Sequence, residues 1–144
     1  MDVGLLGWIG IGASLGLSGL GSTIGMGING PAVIGAWKKC FMQKKPAPFI
    51  LVVFAGVALS NIIYGFIVMN AMRGSSLADP ALLAMGLASG LIIGGVAITQ
   101  AMCAACAAEA MAETGKGFGN FLMVIGIAET IALFAMVFTL LIAG

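Results

Sequence analysis

Glu129 is the residue whose chemistry the rest of the chain must accommodate. It lies in GNFLMVIGIAETIALFAMVFTLLIAG, a run of apolar and small residues in which it is the only charge. An acidic side chain at the centre of a membrane helix costs about 2.5–3.5 kcal/mol on insertion scales, and such groups mark ion pathways. A carboxyl carries one removable proton and can also coordinate a hard cation such as Na⁺, so the chemistry on offer is reversible ion binding. Its partners can be sought by depth. In an antiparallel hairpin turning near residues 114–115, the position as far from the turn as Glu129 is Gln100, the amide in VAITQAMCAA. An amide in hydrocarbon needs a hydrogen bond, and Glu129 offers one. Ser60 and Asn61 interrupt LVVFAGVALSNIIYGFIV, and a shift of 70 positions superposes Leu59 and Ser60 on Glu129 and Thr130. Tyr64 follows about one turn along the face of Ser60 and Asn61. Gln100, Glu129, Thr130, Ser60, Asn61 and Tyr64 therefore form a polar constellation at one level of an apolar bundle.

The elements that position this constellation must be membrane helices. Only 8% of residues are charged and 61% are hydrophobic, more apolar surface than a soluble domain of 144 residues can hide. Four segments, at roughly 4–36, 49–71, 81–108 and 118–143, are long enough to span as helices of about 20 residues. An N-terminal signal peptide is not expected, because Asp2 stands where a basic region should be. The first connection carries Lys38, Lys39, Lys44 and Lys45, the second Arg73 against Asp79, and the third Glu109, Glu113 and Lys116. The positive-inside rule places the first loop in the cytoplasm. With four spans the third loop is then cytoplasmic too, and both termini lie outside the cell membrane. The lysines orient the chain and can also touch anionic lipid or a soluble partner. A net charge of +1 gives no footprint for nucleic acid.

Enzymatic and cofactor chemistry finds no support. There is no histidine, and Cys103 and Cys106 form a CxxC on an Ala-rich apolar helix with no second ligand pair, which reads as packing. GIGASLGLSGLG matches glycine-rich nucleotide motifs only superficially, since it falls within a membrane helix and not after a strand. No catalytic residue and no cofactor beyond a transported ion is expected.

Internal repetition organises the chain. The shift of 70 lays GVALSNIIYGF (56–66) on GIAETIALFAM (126–136), Gly16-Leu17 on Gly86-Leu87, and Gly25 on Gly95. The chain is an all-α membrane protein of two duplicated hairpins in the same orientation, residues 1–72 and 73–144. Only the second carries the carboxyl, because Leu59 occupies the matching position. Helix 1 bears two small-residue stripes on nearly opposite sides: Gly12, Gly16, Gly19, Thr23, Gly27 and Gly30, and Gly10, Ser14, Ser18, Gly21 and Gly25. Helix 3 repeats the device with Gly86, Gly90, Gly94, Ala97, Ala101, Ala105 and Ala108. Small residues let membrane helices approach closely, and two opposed stripes call for close neighbours on both sides, as in the inner wall of a ring of subunits. The bulkier helices 2 and 4 suit an outer layer facing lipid.

These features together resemble the proteolipid ring subunit (subunit K or c) of V/A-type rotary ATPases. The resemblance is carried by the duplicated hairpin, SGLGSTIGMG in helix 1, YGF after the polar pair of helix 2, and AET in helix 4. It implies a non-catalytic subunit that assembles with identical copies into a membrane ring, first helices of each hairpin inside. The ring would turn against a stator membrane subunit with an arginine and attach to central rotor stalk subunits at its cytoplasmic loops. The family's essential glutamate corresponds to Glu129. Sodium-pumping members have a Thr-Gln pair and a Tyr in helix 2 and a Gln in helix 3. Ser60, Asn61, Tyr64 and Gln100 correspond here, with Val57 at the position that gives a backbone carbonyl and Tyr64 outside the ion's own shell. Such oxygens suit Na⁺, while the shorter Asn61 leaves H⁺ open. The alternative is a small proton-coupled four-helix exporter, against which the parallel duplication and Gly-rich helix 1 count.

Overall fold

Apolar runs of this length form helices because hydrocarbon offers backbone N–H and C=O groups no partner but each other. The computed structural model describes residues 3–144; Asp2, on which the expectation of no signal peptide rests, lies outside the described residues. Among the described residues four helical spans are long and apolar enough to cross a membrane: Leu5–Met42, Phe49–Arg73, Asp79–Thr114 and Phe118–Ala143. The chain is an all-α integral membrane protein. The first span is α1 (Leu5–Met42), the third α4 (Asp79–Thr114) and the fourth α5 (Phe118–Ala143). The second is not one helix. A 3₁₀ turn at Phe49–Leu51 leads into α2 (Val52–Gly56), a second 3₁₀ turn occupies Val57–Leu59, and α3 (Ser60–Arg73) completes the crossing.

The α1 and α4 helices run parallel and form the closest seam of the molecule. At one end the Gly4 amide donates to Asp79 Oδ1 at 3.1 Å, joining the start of α1 to the first turn of α4. At the other, Lys39 pairs with Glu113 and the Cys40 thiol lies 3.8 Å from the Ala112 carbonyl. Between these ends the backbones nearly touch. A Cβ on Gly21 would run into the Gly94 backbone, and one on Gly86 into that of Gly10. Of the two stripes on α1, the one through Gly10, Ser14, Ser18, Gly21 and Gly25 is wholly buried. The other is largely bare: a Cβ at Gly12, Gly16 or Gly27 would meet nothing within 4 Å.

The second span and α5 lie outside this pair. Phe54 is fully buried and its ring sits 5.6 Å from Phe118 and 6.4 Å from Phe121, locking the two outer elements together at one end. Phe49, Phe66, Phe134 and Phe138 point away from the bundle and are exposed, as lipid-facing residues should be. Cys103 and Cys106 are free thiols in an apolar groove with Met102, Phe121 and Val124.

The helices outrun the apolar stretches that predict them. At 38 residues α1 is about 57 Å long against a hydrocarbon core of about 30 Å. It continues through Lys38 and Lys39 to Met42, where 36 was expected, and α4 continues to Thr114, where 108 was expected. Hydropathy reports where lipid ends, whereas Ala110, Met111, Ala112 and Glu113 are good helix formers in water as well. The α4–α5 turn is then set by Gly115 (φ 66°) and Gly117 (φ 93°), left-handed conformations that glycine adopts without a Cβ penalty.

Candidate ion-binding site

Polar contacts among α3, α4 and α5 surround the level of Glu129. This residue projects from α5, half-buried, and its Oε1 accepts a 2.6 Å hydrogen bond from the Tyr64 hydroxyl of α3. One turn earlier on the same face of α3, Asn61 is fully buried and its Nδ2 donates to Gln100 Oε1 of α4 at 2.6 Å. Gln100, also fully buried, donates through Nε2 to the Ile125 carbonyl of α5 at 3.4 Å. Ile125 lies one turn before Glu129. Two polar contacts thus tie α3 to α5, one direct through Tyr64 and one relayed by Gln100.

Other members of the constellation take different roles. Gln100 is satisfied by Asn61 and a backbone carbonyl, where the sequence suggested the carboxyl itself. The Ser60 hydroxyl donates to the Val57 carbonyl at 3.2 Å, and the Thr130 hydroxyl to the Ile127 carbonyl at 2.7 Å. Both are back-bonds to their own helices, available to any hydroxyl in a helix. Thr130 is exposed beside Glu129, and Leu59, the duplicate of Glu129, is 54% exposed on the second span. Val57 opens the 3₁₀ turn, and its carbonyl receives the Ser60 hydroxyl.

Within this constellation one buried acceptor is left over. Asn61 Oδ1 is buried and has no hydrogen-bond partner. An orphaned buried oxygen costs about 1–3 kcal/mol, and this one lies one turn from the tyrosine that bonds Glu129. No positive side chain faces the carboxyl: among the described residues the one ion pair is Lys39–Glu113, at the far end of the inner pair.

Sequence reading missed Asn29. It is a fully buried amide on α1 whose Nδ2 donates to the Phe54 carbonyl at 2.8 Å. The signal was present, since an amide in a Gly- and Ala-rich membrane helix is the same anomaly that drew attention to Gln100.

The geometry is that of a four-helix membrane bundle with one half-buried carboxyl in mid-span, bonded by a tyrosine and lying about a turn from two buried amides. Comparison with known proteins narrows this. Residues 83–142, most of the second hairpin, match the family model for the C subunit of ATP synthase. The chain is also 31% identical to the A-type ATP synthase subunit K of Methanocaldococcus jannaschii over 144 residues, covering 98% of this chain and 63% of that protein. The resemblance to the proteolipid subunits of V/A-type rotary ATPases, read first from motifs, is borne out by both findings. The chain spans just under two thirds of that relative's length.

Proposed function

We propose that the chain is a rotor-ring subunit of a V/A-type rotary ATPase or ATP synthase, carrying Na⁺ or H⁺ on Glu129. The observation that carries this reading is a lone carboxyl in a membrane helix, held by Tyr64 and flanked by buried amide oxygens without a neutralising cation. Ionised Glu129 takes up an ion from an access channel, and the neutralised site then passes through lipid. Neutralisation is the physical requirement, because a bare carboxylate in hydrocarbon is prohibitively expensive. The orphaned Asn61 Oδ1 favours Na⁺ as cargo. Gln100, Ser60, Thr130 and the Val57 carbonyl stand near enough in sequence and depth to complete a shell, and Tyr64 keeps the carboxylate aimed. H⁺ is the second reading, favoured by the bond that already occupies Gln100 Oε1.

The same geometry suggests the assembly. The α1–α4 seam forms the inner wall, and the bare stripe through Gly12, Gly16 and Gly27 receives the next identical subunit. The second span and α5 face lipid and the stator subunit, whose arginine displaces the ion. The charged ends with Lys38, Lys39, Lys44 and Lys45, and with Glu109, Glu113 and Lys116, lie in the cytoplasm against the central stalk, with both termini outside. ATP chemistry occurs elsewhere in the complex. Labelling of Glu129 by a hydrophobic carbodiimide, which attacks the protonated acid, tests the reading. Protection by millimolar Na⁺ supports a sodium site, and labelling indifferent to Na⁺ at every pH supports a proton site. A small exporter would instead migrate as a dimer in mild detergent.

A further inference from the structure

Asn29 stands apart from the ion site in sequence, yet its one hydrogen bond falls on the element that aims the site. Phe54 lies in α2, just before the 3₁₀ turn at Val57–Leu59. In an unbroken α-helix its carbonyl would accept from Ala58. A membrane helix tolerates such a lapse where a neighbour satisfies the freed group, and Asn29 Nδ2 does so at 2.8 Å. Its own Oδ1 is buried without a partner, so the donor is held in place even though an acceptor is orphaned.

The second hairpin serves as an internal control. Gln100 Nε2 reaches the Ile125 carbonyl across the same sequence separation, 25 residues, as Asn29 does to Phe54. That bond is longer, 3.4 Å, and α5 runs unbroken from Phe118 to Ala143. By the shift of 70, Asn29 and Phe54 fall on Thr99 and Val124, each one position before Gln100 and Ile125. The two inner-helix amides thus address neighbouring rather than matching outer carbonyls, and the helix is broken where the contact is short.

The break has a geometric consequence. Three residues wound at 3.0 rather than 3.6 per turn add about 60° of rotation to everything that follows. Asn61 and Tyr64 follow at once, and their directions decide whether they meet Gln100 and Glu129. We propose that Asn29 is a positioning residue for the ion site: it pins the 3₁₀ turn and thereby sets the azimuth of Asn61 and Tyr64. This rests on the reading of Glu129 as the ion carrier.

The test uses intact rings, a fluorescent hydrophobic carbodiimide, titration with NaCl, and peptide mapping of the labelled residue. Asn29→Leu keeps the volume and removes the donor, whereas Asn29→Asp, as the neutral acid, retains an O–H donor. The NaCl needed to half-protect Glu129 is expected to rise about tenfold in Asn29→Leu, the scale of losing a group that orients a metal ligand. It should stay close to the parent value in Asn29→Asp. Parent-like protection in Asn29→Leu overturns the proposal, as does a loss in Asn29→Asp equal to that in Asn29→Leu, which would mean packing alone. If Asn29→Leu does not assemble, Asn29→Asp decides: parent-like protection supports the donor role and weakened protection overturns it. Should the parent be indifferent to NaCl, the labelling rate at neutral pH replaces protection, with Asn29→Leu expected to differ and Asn29→Asp to match. A failure of the carrier reading looks different. Glu129→Gln would then transport normally, whatever Asn29 does.

Discussion

At the scale of the residue, the contact between Tyr64 and Glu129 decides how the carboxyl is presented. A hydroxyl donating to a carboxylate at 2.6 Å is a charge-assisted bond and fixes the rotamer as well as stabilising the charge. Tyr64→Phe removes only that donor, and the NaCl that half-protects Glu129 from carbodiimide is expected to rise about tenfold while rings still form. Glu129→Gln keeps shape and most hydrogen-bonding capacity but cannot exchange an ion. Rings should assemble, with ion transport and coupled ATP hydrolysis abolished, and normal transport in reconstituted vesicles would end the carrier reading. Depth arithmetic on a hairpin brought Gln100 to the level of Glu129 from sequence alone, because helices of fixed rise make distance from a turn a ruler. The 70-residue duplication brought Asn61 there, and helical spacing added Tyr64 one turn on. Which atom bonds which was not legible. Gln100 chooses between a carboxyl and an amide by side-chain rotamer, and no sequence pattern encodes that choice.

At the scale of the element, the two faces of α1 make opposite demands. Gly21 abuts the Gly94 backbone, whereas Gly16 faces open space. Gly21→Leu therefore forces α1 from α4 within one protomer, and overpacking of this kind costs about 3 kcal/mol or more when backbone must move. Thermal unfolding in detergent should show a clear loss for Gly21→Leu. Gly16→Leu should leave the melting of the single protomer unchanged yet prevent ring assembly, read as particle size in mild detergent. Rings of normal size from Gly16→Leu would show that the bare stripe is not where neighbouring protomers meet. The stripes were plain in the sequence as a spacing of three and four. Their division of labour was not, because periodicity gives a face and not its neighbour. The break at Val57–Leu59 was equally hidden, since Gly56 before it resembles many glycines in helices that do not break.

At the scale of the whole molecule, charge other than Glu129 is confined to the ends of the described helices and their loops, and Lys44 and Lys45 are exposed between the first two spans. Reversing both to Glu should weaken attachment of the ring to its stalk, more at low than at high salt, while insertion and ring size persist. Pull-down of stalk subunits across a salt series checks this, and unchanged attachment at low salt would reduce the lysines to orienting the chain. Leu59 has a broader bearing. It stands, exposed, where the duplication would place a second carboxyl. With Glu129 as the carrier, as proposed, a ring built from this chain would present one carrier for every four helices rather than one for every two. For a given circumference each revolution moves half as many ions, so a fixed amount of chemical work is divided among fewer of them. With each unit charge worth about 2.3 kcal/mol per 100 mV of membrane potential, such a low gear drives ions against a steeper gradient, and by the same ratio needs a steeper one to run in reverse.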